Sequence, residues 1–199
     1  MDASIDTAQP RRPDEAAPLA PARRWVAPLI VLLVIVVVVA GGYVVYAALS
    51  EPAGPPVGVD GVVSVQPLSG WEVAGQGEID GHVYTRLSRG SGTLDVVAWG
   101  PATGEASLAT DYRGALESQL SQLQVSDELV PVVLRDGTPG LRFRYVGVVA
   151  DTGATVEGVV TSVLTPDGQG VVFDGWAPEG MLSFVDGDIE TMVDRAVIG

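Results

Sequence analysis

The 199-residue sequence contains no cysteine, no lysine and no asparagine, and it has a single histidine, His82. Without cysteine, the chain forms no disulfide and no thiolate site, and it lacks the residue that a lipoprotein needs for acylation. Without asparagine, it has no N-glycosylation sequon. All 11 basic residues are arginine, a bias typical of a GC-rich bacterial genome. Any folded domain in this chain must therefore be held together by its hydrophobic core alone.

Charged residues are also missing from one long stretch, Trp25 to Ser50, which is mostly Val, Leu, Ile and Ala. A run of about 20 such residues crosses the hydrocarbon core of a bilayer as a helix, which satisfies its backbone hydrogen bonds internally. The sequence therefore predicts a transmembrane helix over residues 25–49. A cleavable signal peptide, cut near residues 45–47, is the alternative, but signal sequences have only about 7–15 apolar residues.

Arginine is concentrated on one side of this stretch: two arginines directly precede it, whereas the next basic residue after it is Arg86. Positive residues that flank a transmembrane helix stay on the cytoplasmic side. We therefore expect residues 1–24, which are rich in Ala and Pro, to be a disordered cytoplasmic tail. The rest of the chain is then outside the plasma membrane. Flanking arginines and interfacial aromatic residues give five candidate membrane-interface residues: Arg23, Arg24, Trp25, Tyr43 and Tyr46.

The net charge of −14 belongs entirely to the part of the chain that follows the apolar stretch. The tail has four acidic and four basic residues, so 21 of the 25 acidic and 7 of the 11 basic residues belong to the outer part. Such a segment is repelled by phosphate backbones, so we expect no nucleic-acid partner. Residues 50–60 are rich in Pro and Gly and are predicted to be a linker. Residues 61–199 are long enough to form one extracytoplasmic domain with its own core.

Residues 61–199 combine segments of period-2 hydrophobicity with two segments of helical spacing. Strands are predicted near residues 61–66, 71–74, 82–89, 93–99, 128–135, 140–150, 154–165 and 169–176. Helices are predicted over 107–123, with Ser107 as N-cap, and over 187–197, with Asp186 or Asp188 as cap. Strands that are joined by short hairpins form an antiparallel sheet. We therefore expect an α+β fold in which about six to seven strands pack with two helices.

The order of these elements carries a family resemblance. The features are the opening Gly70-Trp71-Glu72-Val73, a helix after the first hairpins, a long antiparallel meander, and a closing strand at residues 170–176 before a C-terminal helix. This pattern resembles the PsbP-like superfamily, which includes photosystem accessory subunits, a Ran-binding nuclear protein and actinobacterial envelope lipoproteins. The resemblance implies a binding or assembly role, and it carries over no catalytic residue. This chain departs from the lipoproteins because a predicted membrane helix replaces their lipid-bearing cysteine.

One tripeptide points instead to catalysis. Asp151-Thr152-Gly153, within Val-rich flanks, resembles the active-site motif of retropepsin-type aspartic proteases, in which two aspartates share a proton. That family needs several strands and an apolar-apolar-Gly segment after the aspartate, whereas only 46 residues follow Gly153. Asp-Thr-Gly is also good chemistry for a hairpin turn between two strands. The turn is therefore the favoured interpretation.

The single histidine and two short motifs give weaker signals. His82 could act in acid–base catalysis, but the sequence ties no serine or aspartate to it, and a histidine on a strand surface is the simpler interpretation. Residues 75–77, Gly-Gln-Gly, lack the third glycine of a dinucleotide-binding loop, because Asp80 stands in its place. Residues 186–190 are similar to a calcium loop, but they fail the EF-hand template. Helix capping by aspartate is favoured there.

Arginine and tryptophan residues form two further candidate sets. Three arginines could form an anion-binding face: Arg135, Arg142 and Arg144. Among 21 outer carboxylates, surface ion pairs are the expected role of these arginines. Three tryptophans could line a ligand groove: Trp71, Trp99 and Trp176. Packing in the core and at the sheet edge is the default expectation for them.

These observations favour a membrane-anchored extracytoplasmic binding or accessory protein of the bacterial cell envelope. The sequence predicts no catalysis, no cofactor and no metal. The expected partners are the lipid bilayer, through residues 25–49, and an envelope protein or small ligand. Two alternatives stay open: an extracytoplasmic hydrolase that uses Asp151 or His82, and a ligand-sensing ectodomain.

Overall fold

The computed structural model of the chain describes residues 35–39 and 52–199. Residues 35–39 are helical and exposed. Within these two ranges, no helix combines the length and the hydrophobicity that a membrane span requires. The predicted tail, most of the predicted transmembrane helix and all five candidate membrane-interface residues lie outside the described residues.

In residues 52–199, the chain forms eleven strands, two α-helices and one 3-10 turn. The strands are β1 (Val57–Val59), β2 (Val63–Val65), β3 (Glu72–Ile79), β4 (His82–Arg89), β5 (Gly92–Pro101), β6 (Leu120–Val125), β7 (Val130–Val133), β8 (Pro139–Val149), β9 (Thr155–Leu164), β10 (Gln169–Pro178) and β11 (Val197–Ile198). The helices are α1 (Glu105–Gln119) and α2 (Asp186–Asp194), and the 3-10 turn covers Leu182–Phe184.

Eight of these strands form one antiparallel sheet in the order β3-β4-β5-β10-β9-β8-β6, with β7 also paired to β8. Helix α1 packs on one face of this sheet, where Leu108 and Leu116 contact a cluster that includes Phe143 and Val160. The other face is covered by the small sheet β1-β2-β11, the 3-10 turn and α2. The centre of the main sheet is therefore buried on both faces, as its mostly apolar central strands β9 and β10 require.

Strand β8 shows how the alternating sequence selects the two faces. Phe143 and Tyr145 are buried beneath α1. The alternating arginines point to the opposite face, where Arg142 pairs with Glu190 and Arg144 pairs with Asp186 of α2. The strand predicted near residues 140–150 and the ion pairs expected of these two arginines are confirmed.

The sheet is larger than the predicted six to seven strands, partly because α1 ends earlier than predicted. Leu120 has an extended backbone and pairs with Val149 as the first residue of β6. Leu120 and Leu123 continue the leucine spacing of the helix, but their side chains lie over Gly147 of β8. The predicted N-cap was also wrong, because Gly104 precedes the helix and no side chain caps it.

The C-terminal helix is shorter than predicted and is followed by a strand. Helix α2 ends at Asp194, and β11 then pairs with β2. Asp186 and Asp188 lie in the first turn of α2, where negative charge is favourable, but neither caps the helix. Asp186 binds Arg144, and Asp188 binds Arg89 and the indole N–H of Trp71. At the N-terminal end of the domain, β1 lies within residues 50–60, the segment that the sequence predicts to be a linker.

Candidate functional site

A cavity of about 450 Å³ lies between α1 and the face of the main sheet that α1 covers. Residues from the β3–β4 turn, β4, β5, β8, β9, β10 and α1 line it. We call it the aromatic cavity, after the six ring-bearing side chains in its lining: His82, Tyr84, Trp99, Tyr112, Tyr145 and Trp176. Its ionisable lining residues other than these are Asp80, Arg86, Asp95 and Asp174.

Strand register places three charged side chains in one row beneath α1. Arg86 on β4 is the register partner of Asp95 on β5, and Asp95 is the partner of Asp174 on β10. Directly opposed residues in an antiparallel pair project from the same face. The row therefore results from the pairing of three neighbouring strands rather than from any loop.

Arg86 and Asp95 form a two-pronged ion pair at one side of the cavity. The Arg86 Nε and Nη2 atoms donate to the two Asp95 carboxylate oxygens at 2.7 and 2.9 Å. The Trp176 indole N–H donates to the same carboxylate at 3.1 Å. The hydrogen bond to Asp95 raises the pKa of Arg86, although partial burial opposes this rise. Bidentate geometry of this kind fixes orientation as well as charge.

Asp174 is the buried carboxylate at the base of the cavity. It accepts hydrogen bonds from the Tyr112 hydroxyl at 2.7 Å and the Tyr145 hydroxyl at 3.0 Å. Burial, assisted by the nearby charge of Asp95, raises the pKa of Asp174 to about 7, although the two tyrosine donors and Arg86 oppose this rise. Burial also raises the pKa values of Tyr112 and Tyr145 well above their ordinary value. Asp174 therefore changes its charge near neutral pH, while both tyrosines stay protonated as donors.

A second part of the cavity wall consists of aromatic rings in contact with one another. His82, the first residue of β4, stacks on Trp99 with 3.9 Å between ring centroids and 9° between planes. Trp99 in turn meets Tyr112 edge to face, at 5.4 Å and 71°. Offset and edge-to-face contacts of this kind favour fixed ring positions. The wall is thus a connected set of rings, and it links the sheet to α1.

The structure brings together some of the sequence-predicted candidates and separates others. His82, Trp99 and Trp176 line the aromatic cavity. The two tryptophans are partly buried and also pack against the core cluster beneath α1, so they combine the expected packing role with the groove-lining role. Trp71 does lie in the core, on the other face of the sheet. Asp151 is exposed in the β8–β9 turn, where the Gly153 N–H binds the Val149 carbonyl. The hairpin interpretation of Asp-Thr-Gly is confirmed.

The remaining candidates have structural roles. Residues 75–77 lie within the edge strand β3, where the Gln76 side chain donates to Thr85. Residues 186–190 belong to α2. In residues 35–39 and 52–199, no group of three or more His, Asp or Glu side chains is placed to hold a metal ion. The Arg135 backbone N–H donates to the Asp194 carbonyl at the end of α2. Arg142 and Arg144 pair with Glu190 and Asp186 of the same helix.

Sequence reasoning missed the residues at the centre of the cavity. Tyr112 and Tyr145 lie on the buried faces of α1 and β8, but nothing in the sequence predicts that their hydroxyls converge. Asp174 offers the one available signal, because it interrupts the apolar run Val171-Val172-Phe173 of a central strand. A charged residue at such a position is rarely buried without partners, so it marks a polar site in the core.

Comparisons with known proteins address the fold. Neither a protein-family model nor a curated protein sequence matches the chain. The Ran-binding protein Mog1p of Saccharomyces cerevisiae matches 74% of this chain and 96% of its own, with a TM-score of 0.51 and 12% identity. PsbP (CyanoP) of the cyanobacterium Synechocystis matches 69% and 86%, with a TM-score of 0.47 and 15% identity. LpqN, involved in cell envelope biogenesis of Mycobacterium tuberculosis, matches 74% and 89%, with a TM-score of 0.44 and 12% identity.

The likeness to Mog1p shows a shared α+β fold built on an antiparallel sheet. This match agrees with the α+β fold class that the sequence predicts. At 12% identity it shows the fold alone, since one fold hosts many functions. Any function must therefore be argued from the aromatic cavity.

Proposed function

We propose that the protein is a non-catalytic binding protein of the cell envelope that holds a small, largely apolar molecule in the aromatic cavity. The observation that carries this proposal is the cavity itself. Ligand sites are typically concave, about 300–1,000 Å³ in volume, and apolar with a few convergent polar groups. A cavity of about 450 Å³ lined by six rings and by the Arg86–Asp95–Asp174 row has these properties.

The contents of the cavity favour binding over hydrolysis. Among the described residues that line it, none has an aliphatic hydroxyl or a thiol that could act as a nucleophile. His82 stacks on Trp99, and Asp151, the protease candidate, lies in an exposed turn. The Asp95 carboxylate accepts hydrogen bonds from Arg86 and Trp176. Its described partners therefore do not include a histidine that could act as a general base. Mog1p, which shares the fold, binds Ran, so the fold is compatible with a binding role.

The cellular position in this proposal rests on sequence. The uncharged stretch at residues 25–49 would anchor the chain in the plasma membrane, and the preceding arginines would keep residues 1–24 in the cytoplasm. The domain would then meet its ligand, or an envelope protein that delivers the ligand, on the outer side. The sequence analysis predicts a binding or accessory protein of the envelope, and this proposal specifies that the protein binds a small ligand.

A fragment screen read by NMR tests the binding function. Small aromatic and aliphatic compounds are added to the full-length protein, and the indole N–H signals are followed. Ligands in the cavity should shift the signals of Trp99 and Trp176, which line it, and leave the signal of Trp71, which lies in the other core. If no compound shifts Trp99 and Trp176 selectively, the proposal is wrong.

A blocking variant locates the binding. Ala115 on α1 lines the cavity and is half-buried, so Ala115→Trp should fill the space and abolish binding by any fragment found in the screen. Ser118→Trp places the same indole on an exposed position of the same helix and should leave binding unchanged. Equal effects of the two variants would place the ligand elsewhere.

A further inference from the structure

The cavity carries an excess of negative charge. Among the described residues that line it, Arg86 is the one permanent cation, and the two-pronged pair with Asp95 cancels its charge. Asp174 lies at the base, and Asp80 is exposed in the β3–β4 turn at the rim. Neither carboxylate has an arginine among its hydrogen-bond partners in the described structure. A charged ligand that entered would therefore meet uncompensated carboxylates.

Asp174 is arranged as a carboxylate that lacks a counter-charge. Its side chain is only 4% exposed, and both of its described hydrogen-bond donors are neutral tyrosine hydroxyls. Two donors favour the ionised form, but a buried ion is costly unless an opposite charge accompanies it. A cation in the cavity would supply that charge without disturbing either tyrosine.

The walls have the chemistry that binds organic cations. Cations lie favourably over the faces of Trp and Tyr rings, and the guanidinium of Arg86 already lies 5.9 Å from the Tyr84 ring centre and 5.7 Å from that of Trp176. A calcium or magnesium ion would need about six oxygen ligands, which a wall made mostly of rings does not offer. The aromatic lining instead matches an ammonium group with an apolar substituent.

We propose that the ligand of the aromatic cavity is a small organic cation, an amine or quaternary ammonium compound, whose charged group lies against Asp174 and whose apolar part lies against the rings. This inference rests on the proposed binding function and adds the ligand's chemical class. An anionic ligand would have to displace Asp95 from Arg86 and would face Asp174 at close range.

Three probes that share one benzene ring test the charge preference: benzyltrimethylammonium, benzyl alcohol and benzenesulfonate. The first and last keep their charge at every working pH, so pH acts only on the protein. Affinity is measured by calorimetry on the full-length protein, with Ala115→Trp as the blocked control. The cation should bind at least about tenfold more tightly than the alcohol, as expected for a charge-assisted contact, and the sulfonate should bind most weakly.

Asp174→Asn tests the proposed contact, because it removes the charge and keeps the shape. It should weaken binding of the cation by about tenfold or more and change binding of the alcohol by less than about twofold. Asp151→Asn removes the same charge from an exposed turn outside the cavity and should change neither affinity. Circular dichroism verifies that both variants fold.

The outcomes separate the two proposals. If the alcohol or the sulfonate binds in the cavity as tightly as the cation, the cationic ligand class is wrong, and the binding function stands. If cation binding survives Asp174→Asn unchanged, the contact with Asp174 is wrong. If none of the probes shows binding that Ala115→Trp removes, and the fragment screen is also silent, both proposals fall. The ranking of the three probes on the unmodified protein does not depend on whether any variant folds.

Discussion

Gly158 on β9 lies directly opposite Tyr145 on β8, and the tyrosine ring occupies the space that a side chain at position 158 would need. The ring can therefore lie across β9, and its hydroxyl reaches Asp174 on β10. Glycine in a strand interior usually weakens the strand and marks a close approach. Here the close approach positions one of the two tyrosine donors to the buried carboxylate.

Replacing this glycine should damage both stability and the cavity. In Gly158→Ala, the new methyl group would lie closer than 3.0 Å to the Tyr145 ring, so the ring must move and its bond to Asp174 is lost. Overpacking of this kind costs about 1–3 kcal/mol in the free energy of unfolding, which chemical denaturation measures. Affinity for benzyltrimethylammonium should also fall.

The matched control for that variant is Gly114→Ala. Gly114 is exposed on α1, and a methyl group there meets no neighbouring atom. Because alanine favours a helix over glycine by about 1 kcal/mol, this variant should be as stable as the unmodified protein or more so. Equal stability changes in both variants would contradict the role assigned to Gly158.

The titration of Asp174 should appear in the pH dependence of stability. An aspartate in the unfolded chain titrates near 3.8, whereas in the folded protein the pKa of Asp174 is about 7. Between these values the folded state binds more protons than the unfolded state, so the free energy of unfolding falls as pH rises and levels off above pH 7. The difference corresponds to roughly 4 kcal/mol.

Asp174→Asn isolates this contribution from that of the other carboxylates. The stability of the variant relative to the unmodified protein should increase from pH 4 to pH 8, by up to roughly 4 kcal/mol. Denaturation curves at several pH values measure it. Asp151→Asn is the matched control, because it removes a carboxylate from an exposed turn outside the cavity. Parallel pH profiles for the unmodified protein and Asp174→Asn would show that Asp174 titrates normally.

Affinity for a permanent cation should rise with pH through the same group. A cation beside Asp174 favours the ionised form and lowers the pKa of Asp174, so binding releases a proton below pH 7. Affinity for benzyltrimethylammonium should therefore fall by up to about tenfold per pH unit below pH 7 and level off above pH 8. Calorimetry in buffers of different ionisation enthalpy measures the released proton directly.

The contribution of Asp174 to this pH dependence must be distinguished from that of the other ionisable groups around it. Those that face the site are Tyr112 from α1, Tyr145 from β8, Asp95 from β5, and Arg86 and Tyr84 from β4, while β9 presents the apolar Val156 and Val160. His82, the single histidine of the chain, also lines the cavity. His82→Phe keeps a ring against Trp99, so the pH profile should persist in this variant. It should vanish in Asp174→Asn.

The sequence predicted the elements of this fold better than their ends. The strand predicted near residues 140–150 matches β8 because one face of that strand is buried and the other forms ion pairs. The predicted helix was too long because the spacing of the leucines at positions 120 and 123 suits a helix. In the structure their side chains instead pack over Gly147 of β8, a tertiary contact that local spacing cannot predict. Tertiary contacts decide such ends.

The candidate site was less predictable, because it depends on strand order. Arg86, Asp95 and Asp174 are far apart in sequence, and β10 lies beside β5 only through a connection that contains α1 and four strands. Period-2 patterns assign each residue to a face but do not reveal which strands are neighbours. The aromatic residues were found as candidates individually, and the register then brought His82, Trp99 and Trp176 together.

The absence of cysteine from the chain permits a direct test of the proposed membrane orientation. Single cysteines are introduced by Ser4→Cys, in the predicted tail, and by Ser91→Cys, in the exposed β4–β5 turn. On intact cells, a membrane-impermeant maleimide should label Ser91→Cys and should not label Ser4→Cys until the cells are lysed. The physical reason is the arginine pair before residue 25, which stays on the cytoplasmic side.

The reagent and the variants supply their own controls. The unmodified chain has no thiol, so any label that it carries is background, and lysis shows that both cysteines are reactive. Labelling of Ser4→Cys alone in intact cells would invert the orientation and place the aromatic cavity in the cytoplasm. Full release of the domain into the medium would instead favour cleavage near residues 45–47 over an anchor. Either result would change where a cationic ligand is sought and would leave the chemistry of the cavity as described.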